Sequence, residues 1–427
     1  MIEIIKWSQA GNMRKDQIMK RSALDISKVL PQVKEWIDSI RKDGDKAIIE
    51  YIRKFDDPEF FRGFRITQNE IKNAYKKISP DVLDAIKKQV ELSRSYQENL
   101  GSNSQVQLQE AIPGVLTGKR ITPIDSVGLY IPAGSAPLPT VMQVLGVAAK
   151  QAGVKRIVAC FPPKGNLPEM LVAADLSGID ELYCIGGIAA IAAMAYGTQS
   201  IDPVLKIAGP GNIYVQAAKS LVRDDVAIDM IAGPSEGLLI ADERADPKYL
   251  AIDLLAKAEH DPNASGVLVT WDQELAIKTK KEVERLYSQL KRKDIIKEAL
   301  KRYFAIIIVN DLEEAISLSN EYSPEHIEIL VENPIEILPR ITNAGSIFLG
   351  DYAPIAVGDY ASGTNHVLPT GIWPKTSSPI SVRTFQKESE VQYLTKEGLE
   401  GLRPIVQKIS DVEGLDAHKL SVDIRLS

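Results

Sequence analysis

The chain has 427 residues, of which 44% are hydrophobic and 25% are charged, with a formal net charge of −6. This length exceeds what one ordinary core holds, so we expect two or three domains of a soluble globular protein. The acidic balance excludes a non-specific nucleic-acid binder, and no apolar run approaches the roughly 18 residues that span a membrane. Without a signal-peptide pattern, we expect a cytoplasmic protein.

The first hundred residues are predicted to be helical and charged. Apolar residues recur there at helical spacing, at Val33, Trp36, Ile37, Ile40, Ala47, Ile48, Tyr51 and Ile52. We expect this part of the chain to support a site rather than to form one.

From about Asp125, short apolar runs with strand character alternate with helices. The predicted strands are Val127 to Ile131, Arg156 to Phe161, Glu181 to Ile185, Gly266 to Trp271 and Ala305 to Val309. Such alternation is typical of parallel sheets with helices on both faces. Ligands then bind at the carboxyl ends of the strands.

Two such blocks, at about 125–231 and 237–347, are expected to be α/β domains facing a shared cleft. The two cysteines, Cys160 and Cys184, lie in apolar strand-like segments and are expected to be core residues, since their number excludes a disulfide framework. The last fifty residues return to short helices and end in a predicted strand, Leu420 to Ile424.

Three glycine turns lie between these elements, at residues 130–135, 209–212 and 232–236. Glycine lets backbone amides approach a ligand, and Asn212 at a helix start either caps that helix or presents its N–H groups to an anion. Ser235 adds a hydroxyl that either orients a polar substrate or only turns the chain. Strand-to-helix turns need glycine and proline for steric reasons as well, and no standard dinucleotide fingerprint is present.

All four histidines stand in short polar motifs. These motifs are Ala258-Glu259-His260-Asp261, Pro324-Glu325-His326, Gly363-Thr364-Asn365-His366 and Asp416-Ala417-His418. Imidazole suits both metal ligation and proton transfer near neutral pH, so these motifs suggest a catalytic or metal site.

The order of these motifs closely resembles the histidinol dehydrogenase family. The resemblance rests on residues 125–132, 208–212, 232–236, 258–260, 325–326 and the twelve residues from Gly358 to Pro369. It extends from Arg41 to His418 in order and without large gaps.

This resemblance implies an α/β fold of two Rossmann-like domains with parallel sheets facing a cleft, plus helical N-terminal and small C-terminal segments. The implied boundaries are an arm over residues 1–20, a first domain of 21–125 with 237–375, an NAD-binding domain of 126–236 and a segment of 376–427 exchanged within a homodimer. No nucleic acid or membrane is implied as a partner.

The family oxidises L-histidinol through L-histidinal to L-histidine with two NAD+, as a step of histidine biosynthesis. By resemblance, Glu325 activates the water that attacks the aldehyde, and His326 takes the proton of the hydroxyl. Such a pair serves two proton transfers when its environments separate the two pKa values. The implied substrate pocket contains Ser235, His260, Glu325, His326, Asp359, Tyr360, Glu413 and His418, and an intersubunit site follows because the family's dimer partner supplies the last two.

The family's zinc ligands correspond to His260, Asp359 and His418, with Lys257 where a glutamine is usual. A lysine must lose its proton to bind a metal, and moving its pKa from about 10.4 to 7 costs roughly 4.6 kcal/mol. Three explanations stay open: zinc held by three protein ligands, a different metal environment, or a metal-free site in which the ammonium replaces part of the ion's charge. We favour the first, because catalytic zinc needs only three protein ligands. As an alternative place for the lysine, Asp253 lies one helical turn before Lys257 and is expected to pair with it on the surface.

The NAD contacts correspond to Tyr130 and Asn212, while a third, glutamine in the family, is Ala189 here. The lost hydrogen bond is worth about 1 kcal/mol. A further departure is Thr370 to Lys375, which replaces the family's usual turn and is expected to reshape the pocket. His366 is expected to support the site from behind.

Two functional classes follow from the sequence. The first is an NAD-dependent histidinol dehydrogenase, or a relative acting on another amino or hydroxy alcohol. The second is an inactive homologue that serves as a binding protein. Retention of Glu325, His326, His260, Asp359 and His418 favours the enzyme.

Overall fold

The structure is a computed structural model that describes residues 2–21, 25–60, 62–101, 106–132, 138–163, 167–230 and 232–427. Ala133, Gly134 and Ser135 of the first predicted glycine turn lie outside these ranges. Three sheets organise the described residues.

The strands of the described residues are numbered in chain order. They are β1 Glu3–Lys6, β2 Val106–Ile112, β3 Val115–Pro123, β4 Ser126–Tyr130, β5 Arg156–Cys160, β6 Glu181–Tyr183, β7 Lys206–Ala208, β8 Ala227–Ile228, β9 Glu236–Ala241, β10 Ser265–Thr270, β11 Phe304–Ile308, β12 His326–Leu330, β13 Ser346–Leu349 and β14 Gln386–Leu394.

The α-helices are numbered in the same way. They are α1 Asn12–Lys20, α2 Leu30–Asp43, α3 Asp45–Phe55, α4 Gln68–Tyr75, α5 Pro80–Asn99, α6 Pro139–Gln151, α7 Leu167–Leu176, α8 Gly187–Tyr196, α9 Ile213–Val222, α10 Pro247–Ala258, α11 Gln273–Tyr287, α12 Lys293–Arg302, α13 Leu312–Tyr322, α14 Pro334–Ile337, α15 Ile355–Tyr360, α16 Lys396–Glu413 and α17 Asp416–Leu426.

The five-stranded sheet has the order β6-β5-β4-β7-β8, and all its neighbouring strands are parallel. Its strands read as apolar runs because helices cover both faces. The chain leaves β4 in one direction and later returns to β7 on its other side. The sheet therefore has a topological switch point at the carboxyl ends of β4 and β7, where α/β sheets bind ligands.

The six-stranded sheet has the order β1-β11-β10-β9-β12-β13 and is also parallel throughout. The N-terminal strand β1 adds an edge beside β11. All the strands predicted between residues 127 and 309 are confirmed, and so is the fold class of two parallel sheets with helices on both faces.

The helices of residues 30–99 pack against the five-stranded sheet. Val33 and Ile48 share a core with Val158, whereas Ile71 and Val90 share the core on the opposite face. We expected residues 21–125 to group with 237–375. The structure instead packs the apolar sides of the helices between residues 30 and 99 onto the five-stranded sheet. The six-stranded sheet is covered mainly by helices from residues 247–322.

A third sheet, β14-β3-β2, is antiparallel. It pairs β2 and β3, which lie between α5 and β4 in the chain, with β14 of the C-terminal region. Two helices, α16 and α17, follow it. The predicted strand at Leu420 to Ile424 is wrong, since these residues lie within α17. Apolar residues alternate there, but only Val422 is buried, so the alternation does not mark a sheet face. None of the helices in the described part of the chain is long and apolar enough to cross a membrane.

Candidate active site

A cavity of about 240 Å³ lies between the two parallel sheets. Six of the residues predicted for the substrate pocket line it, together with two further basic side chains: Ser235, His260, Glu325, His326, Asp359 and Tyr360, with Lys257 and His366. Pro132 and Pro210 face it from the five-stranded sheet. The sequence motifs thus converge on one cleft.

On the six-stranded side, this site lies at the amino ends of the strands. Ser235 immediately precedes β9, Glu325 precedes β12, and His326 opens β12. Our expectation of carboxyl ends is therefore wrong for this sheet, although it holds for Tyr130 and the 209–212 turn of the five-stranded sheet. The reason is geometric, because the carboxyl edge of one sheet faces the amino edge of the other.

Helix termini supply the remaining groups. In a parallel α/β unit each helix ends near the start of the next strand, so Lys257 at the end of α10 reaches the same edge as His326. Asp359 comes from the end of α15. Ser323 ends α13 in a left-handed conformation, at φ 48°, which turns the chain towards Pro324 and Glu325.

Glu325 is buried and held by two hydrogen bonds. The Ser235 hydroxyl and the Glu236 backbone N–H both donate to its Oε2, each at 2.8 Å. Burial opposes the charged form, but His326, the Lys257 ammonium and the Glu236 N–H together lower the pKa of Glu325 to about 2. The group is therefore a fixed carboxylate at neutral pH.

His326 lies between two carboxylates, those of Glu325 and Asp359. Its Nε2 lies 3.5 Å from Oδ1 of Asp359, its Nδ1 lies 3.3 Å from Oε2 of Glu325, and its ring stacks on Phe348. Desolvation and Lys257 favour neutral imidazole, but Glu325 and Asp359 outweigh them and raise the pKa of His326. Burial likewise opposes the ionisation of Asp359, yet His326, Lys257 and His366 lower the pKa of Asp359 below its usual value.

Lys257 points into the cavity and is only 2% exposed. Its Nζ lies 3.2 Å from Oγ of Ser235 and 3.1 Å from Nδ1 of His326. Gly237 leaves room for the lysine stem, since a Cβ there would lie 3.0 Å from Lys257 Cγ. The expected surface pair with Asp253 is wrong.

Asp253 instead shares a hydrogen bond with Glu328. Burial is the main cause that raises the pKa of Asp253 to about 6, and burial together with the Asp253 charge raises the pKa of Glu328. Glu328 Oε1 also accepts from the Ile355 N–H at 2.8 Å. This carboxyl pair links α10, β12 and α15, the three elements that carry Lys257, His326 and Asp359.

The segment after Pro369 is anchored away from the cavity. The Gly371 N–H donates to Glu236 Oε1 at 2.9 Å, and Arg21 forms a buried ion pair with Glu236 Oε2. Trp373 is 44% exposed and does not line the cavity, whereas Thr370 does. Among residues 370–375, which replace the family's usual turn, Thr370 is the residue that lines the pocket. This difference therefore changes the pocket by one hydroxyl group. Sequence analysis missed Arg21, for which no motif gave a signal.

A second cavity, of about 410 Å³, lies at the switch point of the five-stranded sheet. Tyr130 and Asn212 line it, and Pro132 lines both cavities. The Asn212 side chain caps α9 by accepting from the N–H groups of Tyr214 and Val215. The capping interpretation is correct, and the Asn212 amide N–H₂ is left for a ligand.

The amino end of α8 forms another wall of this second cavity. The hydroxyls of Tyr130 and Tyr51 accept from the N–H groups of Gly187 and Ile188, each at 3.2 Å. Tyr51 belongs to the N-terminal helices, which we expected only to support a site. Ala189 is fully buried and does not line this cavity.

A buried ion pair supports the turn at residues 209–212. Lys219 forms an ion pair with Asp229, and both side chains are almost completely buried. Lys219 Nζ also donates to the carbonyl of Gly209 at 3.0 Å, while the Gly209 N–H donates to Asp229 at 2.8 Å. This interaction was not predicted, because a lysine inside an amphipathic helix normally faces solvent.

Glu413 and His418 are not brought to the cavity within one chain. Both are exposed, at the end of α16 and near the start of α17. Among the described residues, no group of three or more histidine, cysteine, aspartate or glutamate side chains is placed to hold a metal ion. His260 stands at the rim, where desolvation and then the Lys257 charge lower its pKa to about 4, although part of the residue is open to solvent.

Comparisons with known proteins agree on one family. The family model described as histidinol dehydrogenase matches residues 19–426. A histidinol dehydrogenase of Methanothermobacter thermautotrophicus is 44% identical over 429 residues, covering 99% of each chain. Another, of Caldanaerobacter subterraneus subsp. tengcongensis, is 45% identical over 413 residues and covers 96% of this chain and 95% of that one.

A solved structure gives the same result for the fold. The crystal structure of a histidinol dehydrogenase from Elizabethkingia anophelis superposes with a TM-score of 0.94 at 36% identity. The match covers 100% of this chain and 98% of that chain.

Proposed function

The chain belongs to the histidinol dehydrogenase family, and we infer from this that it is an NAD-dependent oxidoreductase that oxidises L-histidinol through L-histidinal to L-histidine. One observation of the site carries the proposal. A fixed carboxylate, Glu325, and an imidazole, His326, stand in one cavity that adjoins the cavity of Tyr130 and Asn212. Substrate and cofactor can therefore meet beside Pro132.

The overall reaction consumes histidinol, one water and two NAD+ and yields histidine, two NADH and protons. NAD+, when bound, accepts a hydride in each of the two oxidations. Its site is the cavity at the switch point, where Tyr130 fixes the amino end of α8 and the Asn212 amide N–H₂ can donate to the cofactor. The Asn212 amide fits a dinucleotide as a donor, and Gly209 lets the turn pack against β4, since a Cβ there would meet the Tyr130 carbonyl oxygen.

The first oxidation needs a proton acceptor for the hydroxyl. His326 has this role, because its pKa is raised by Glu325 and Asp359 and its ring forms a wall of the cavity. The O–H proton passes to the imidazole as the carbon loses its hydride, and the aldehyde remains in the cavity.

The second oxidation needs an activated water. The Glu325 carboxylate has this role, with its Oε2 fixed by Ser235 and Glu236. Among the described residues none hydrogen-bonds to Oε1, so this oxygen can take the proton of a water that attacks the aldehyde. The resulting hydrate loses the second hydride and becomes the carboxylic acid.

Zinc, which the resemblance implied, does not fit the residues that this chain brings together. Lys257 occupies a ligand position with a buried cationic group, and it contacts Ser235 and His326. Of the three predicted ligands, His260 and Asp359 line the cavity and His418 would come from a second copy of the chain, so the misfit rests on Lys257. We therefore assign no step to a metal ion.

A homodimer is part of the proposal. Large apolar side chains of the two C-terminal helices are exposed in the single chain, among them Ile405, Ile409, Val412 and Leu420. A surface of this kind usually marks an interface. A second copy of the chain that covers this surface would contribute Glu413 and His418 to the substrate pocket.

A cytoplasmic location is also proposed. Cys160 and Cys184 are free, buried thiols, which supports a reducing compartment. The alternative of an inactive homologue gains no support from the site, because Glu325 and His326 keep a catalytic arrangement. The relatives named histidinol dehydrogenase give no support to another alcohol as substrate. The direct test is production of NADH and histidine from histidinol by the purified protein, compared with its Glu325→Gln variant.

A further inference from the structure

A continuous path of polar contacts crosses the cavity from Asp359 to Glu325. It runs from Asp359 through His326 at 3.5 Å, Lys257 at 3.1 Å and Ser235 at 3.2 Å to Glu325 at 2.8 Å. Lys257 stands at its centre, between the two residues assigned to proton transfer. The lysine is the one cationic side chain of fixed charge among the described residues that line this cavity.

The contact with Lys257 determines how His326 carries its proton. Nδ1 of His326 lies near three groups, the Lys257 ammonium at 3.1 Å, Oε2 of Glu325 at 3.3 Å and the Glu236 carbonyl at 3.3 Å. When the imidazole is neutral and its proton is on Nε2, Nδ1 accepts a hydrogen bond from Lys257. We assign the imidazole proton to Nε2, on the side of Asp359. The one lone pair of Nδ1 can take a substrate proton once the substrate hydroxyl replaces Lys257 as its partner, and Asp359 lies on the other side of the ring, with Oδ1 3.5 Å from Nε2.

The ammonium retains one donor for a ligand. Two of its three N–H groups are directed at Ser235 and His326. No described residue hydrogen-bonds to the third. A substrate hydroxyl that enters between Nζ and Nδ1 accepts a hydrogen bond from the ammonium and takes its place as the donor to Nδ1.

The charges around the cavity also favour the Lys257 ammonium over a zinc ion at this place. The cavity walls hold two carboxylates, Glu325 and Asp359, and the Lys257 ammonium lines the same cavity. A zinc ion at this place would meet a buried ammonium that repels it, and the lysine would have to lose a proton before it could ligate.

We propose that Lys257 supplies the fixed positive charge of this active site and binds the reacting oxygen of the substrate, so that catalysis needs no zinc ion. The inference rests on the proposed function. In the first oxidation the O–H proton passes to Nδ1 of His326, the hydride leaves for NAD+, and the ammonium stabilises the oxygen as its charge grows. In the second, the ammonium holds the oxygen that becomes negative when water adds to the aldehyde.

The test begins with the metal content of the purified full-length protein after dialysis against a chelator. We expect far less than one zinc per chain, unchanged histidinol oxidation, and no binding when zinc is titrated by calorimetry. Lys257→Gln should gain zinc binding in the same titration. One tightly held zinc per chain in the unmodified protein, or equal zinc binding by both proteins, overturns the proposal.

Activity gives the second measurement. Lys257→Met should lower kcat about 100-fold or more, by analogy with the loss of an oxyanion-stabilising donor, and Lys257→Arg should restore part of it because it keeps a charge and donors. Lys248→Gln, an exposed change on the same helix, is the control for loss of a lysine. A Lys257→Met enzyme that retains wild-type kcat contradicts the proposal. Zinc content does not depend on turnover, so absence of NADH formation with and without zinc would instead refute the proposed function.

Discussion

The ammonium of Lys257 lies 3.1 Å from Nδ1 of His326, inside the cavity that holds the catalytic carboxylate. One alternative from the sequence was a surface place for this lysine, paired with Asp253. The end of α10 instead faces the start of β12, and Gly237 gives the lysine stem room to enter. A single change at an expected ligand position therefore alters the charge at the centre of the site.

Replacing Glu325 by glutamine separates the two oxidations. The amide keeps an acceptor for Ser235 and Glu236 but cannot take a proton from water, so we expect steady-state kcat to fall by about 10²–10⁴. A single turnover should still release about one NADH per site, because the first oxidation uses His326. Rapid-mixing measurement of NADH decides this, and an unchanged yield of two NADH at the wild-type rate contradicts the assigned role.

Breaking the buried pair of Lys219 and Asp229 should weaken the cofactor site and the fold together. Lys219→Met leaves an unpaired buried carboxylate, which we expect to cost about 3–5 kcal/mol of unfolding free energy. Because Lys219 also holds the Gly209 carbonyl, KM for NAD+ should rise more than KM for histidinol. Denaturant unfolding and steady-state kinetics measure both effects.

Lys281→Met, an exposed change on α11, is the matched control for that variant. Equal stability of Lys219→Met and Lys281→Met would show that the Lys219 pair contributes no net stability.

The carboxyl pair of Asp253 and Glu328 makes the stability of the fold decrease as pH rises above about 4. Both groups have raised folded pKa values, so the folded chain retains protons that the unfolded chain has already released. Stability is therefore greatest below the unfolded pKa of about 4 and falls as pH rises through the folded values, which for Asp253 is about 6.

Glu328→Gln should relieve this loss, because an amide can donate to Asp253 without releasing a proton. We expect the variant to be more stable than the wild type by about 2 kcal/mol at pH 8, a gain that shrinks towards pH 4. Urea unfolding across this pH range gives the comparison, with exposed Glu336→Gln as the control. A constant difference at every pH would argue against a shared proton.

Complementation tests the intersubunit site. Glu325→Gln and His418→Ala should each be nearly inactive alone. When both variants are co-expressed, mixed dimers contain one intact site, and random pairing should restore about a quarter of wild-type activity. Size-exclusion chromatography with light scattering checks the dimer, and mixed dimers without activity would place Glu325 and His418 in the same chain's site.

Periodic and apolar features were predictable from the sequence. The strands ending near Tyr130 and Cys160 were visible because parallel strands covered on both faces are continuous apolar runs. The C-terminal strand prediction failed because Leu420, Val422 and Ile424 alternate like a strand, although they lie in α17 and only Val422 is buried. Alternation over five residues cannot distinguish these cases when the buried face is unknown.

The site was predictable as far as its residue types recur in motifs. Glu325, His326 and Asp359 stand in quoted motifs, and the structure places them in one cavity. Tyr51 lines the second cavity, whereas Arg21 and Lys219 support the two sites through Glu236 and Gly209. No local sequence pattern marks these three residues. The position of the site at the amino edge of the six-stranded sheet depends on how the two sheets face each other, which local sequence does not encode.

The most direct test of the account is the yield of NADH per histidinol by the chelator-treated protein in excess NAD+, with the product identified by mass spectrometry. We predict roughly two NADH per histidinol and complete conversion to histidine, since oxidation of an alcohol to a carboxylate releases two hydrides. Absence of NADH from histidinol, with the protein folded and NAD+ bound, would contradict the account.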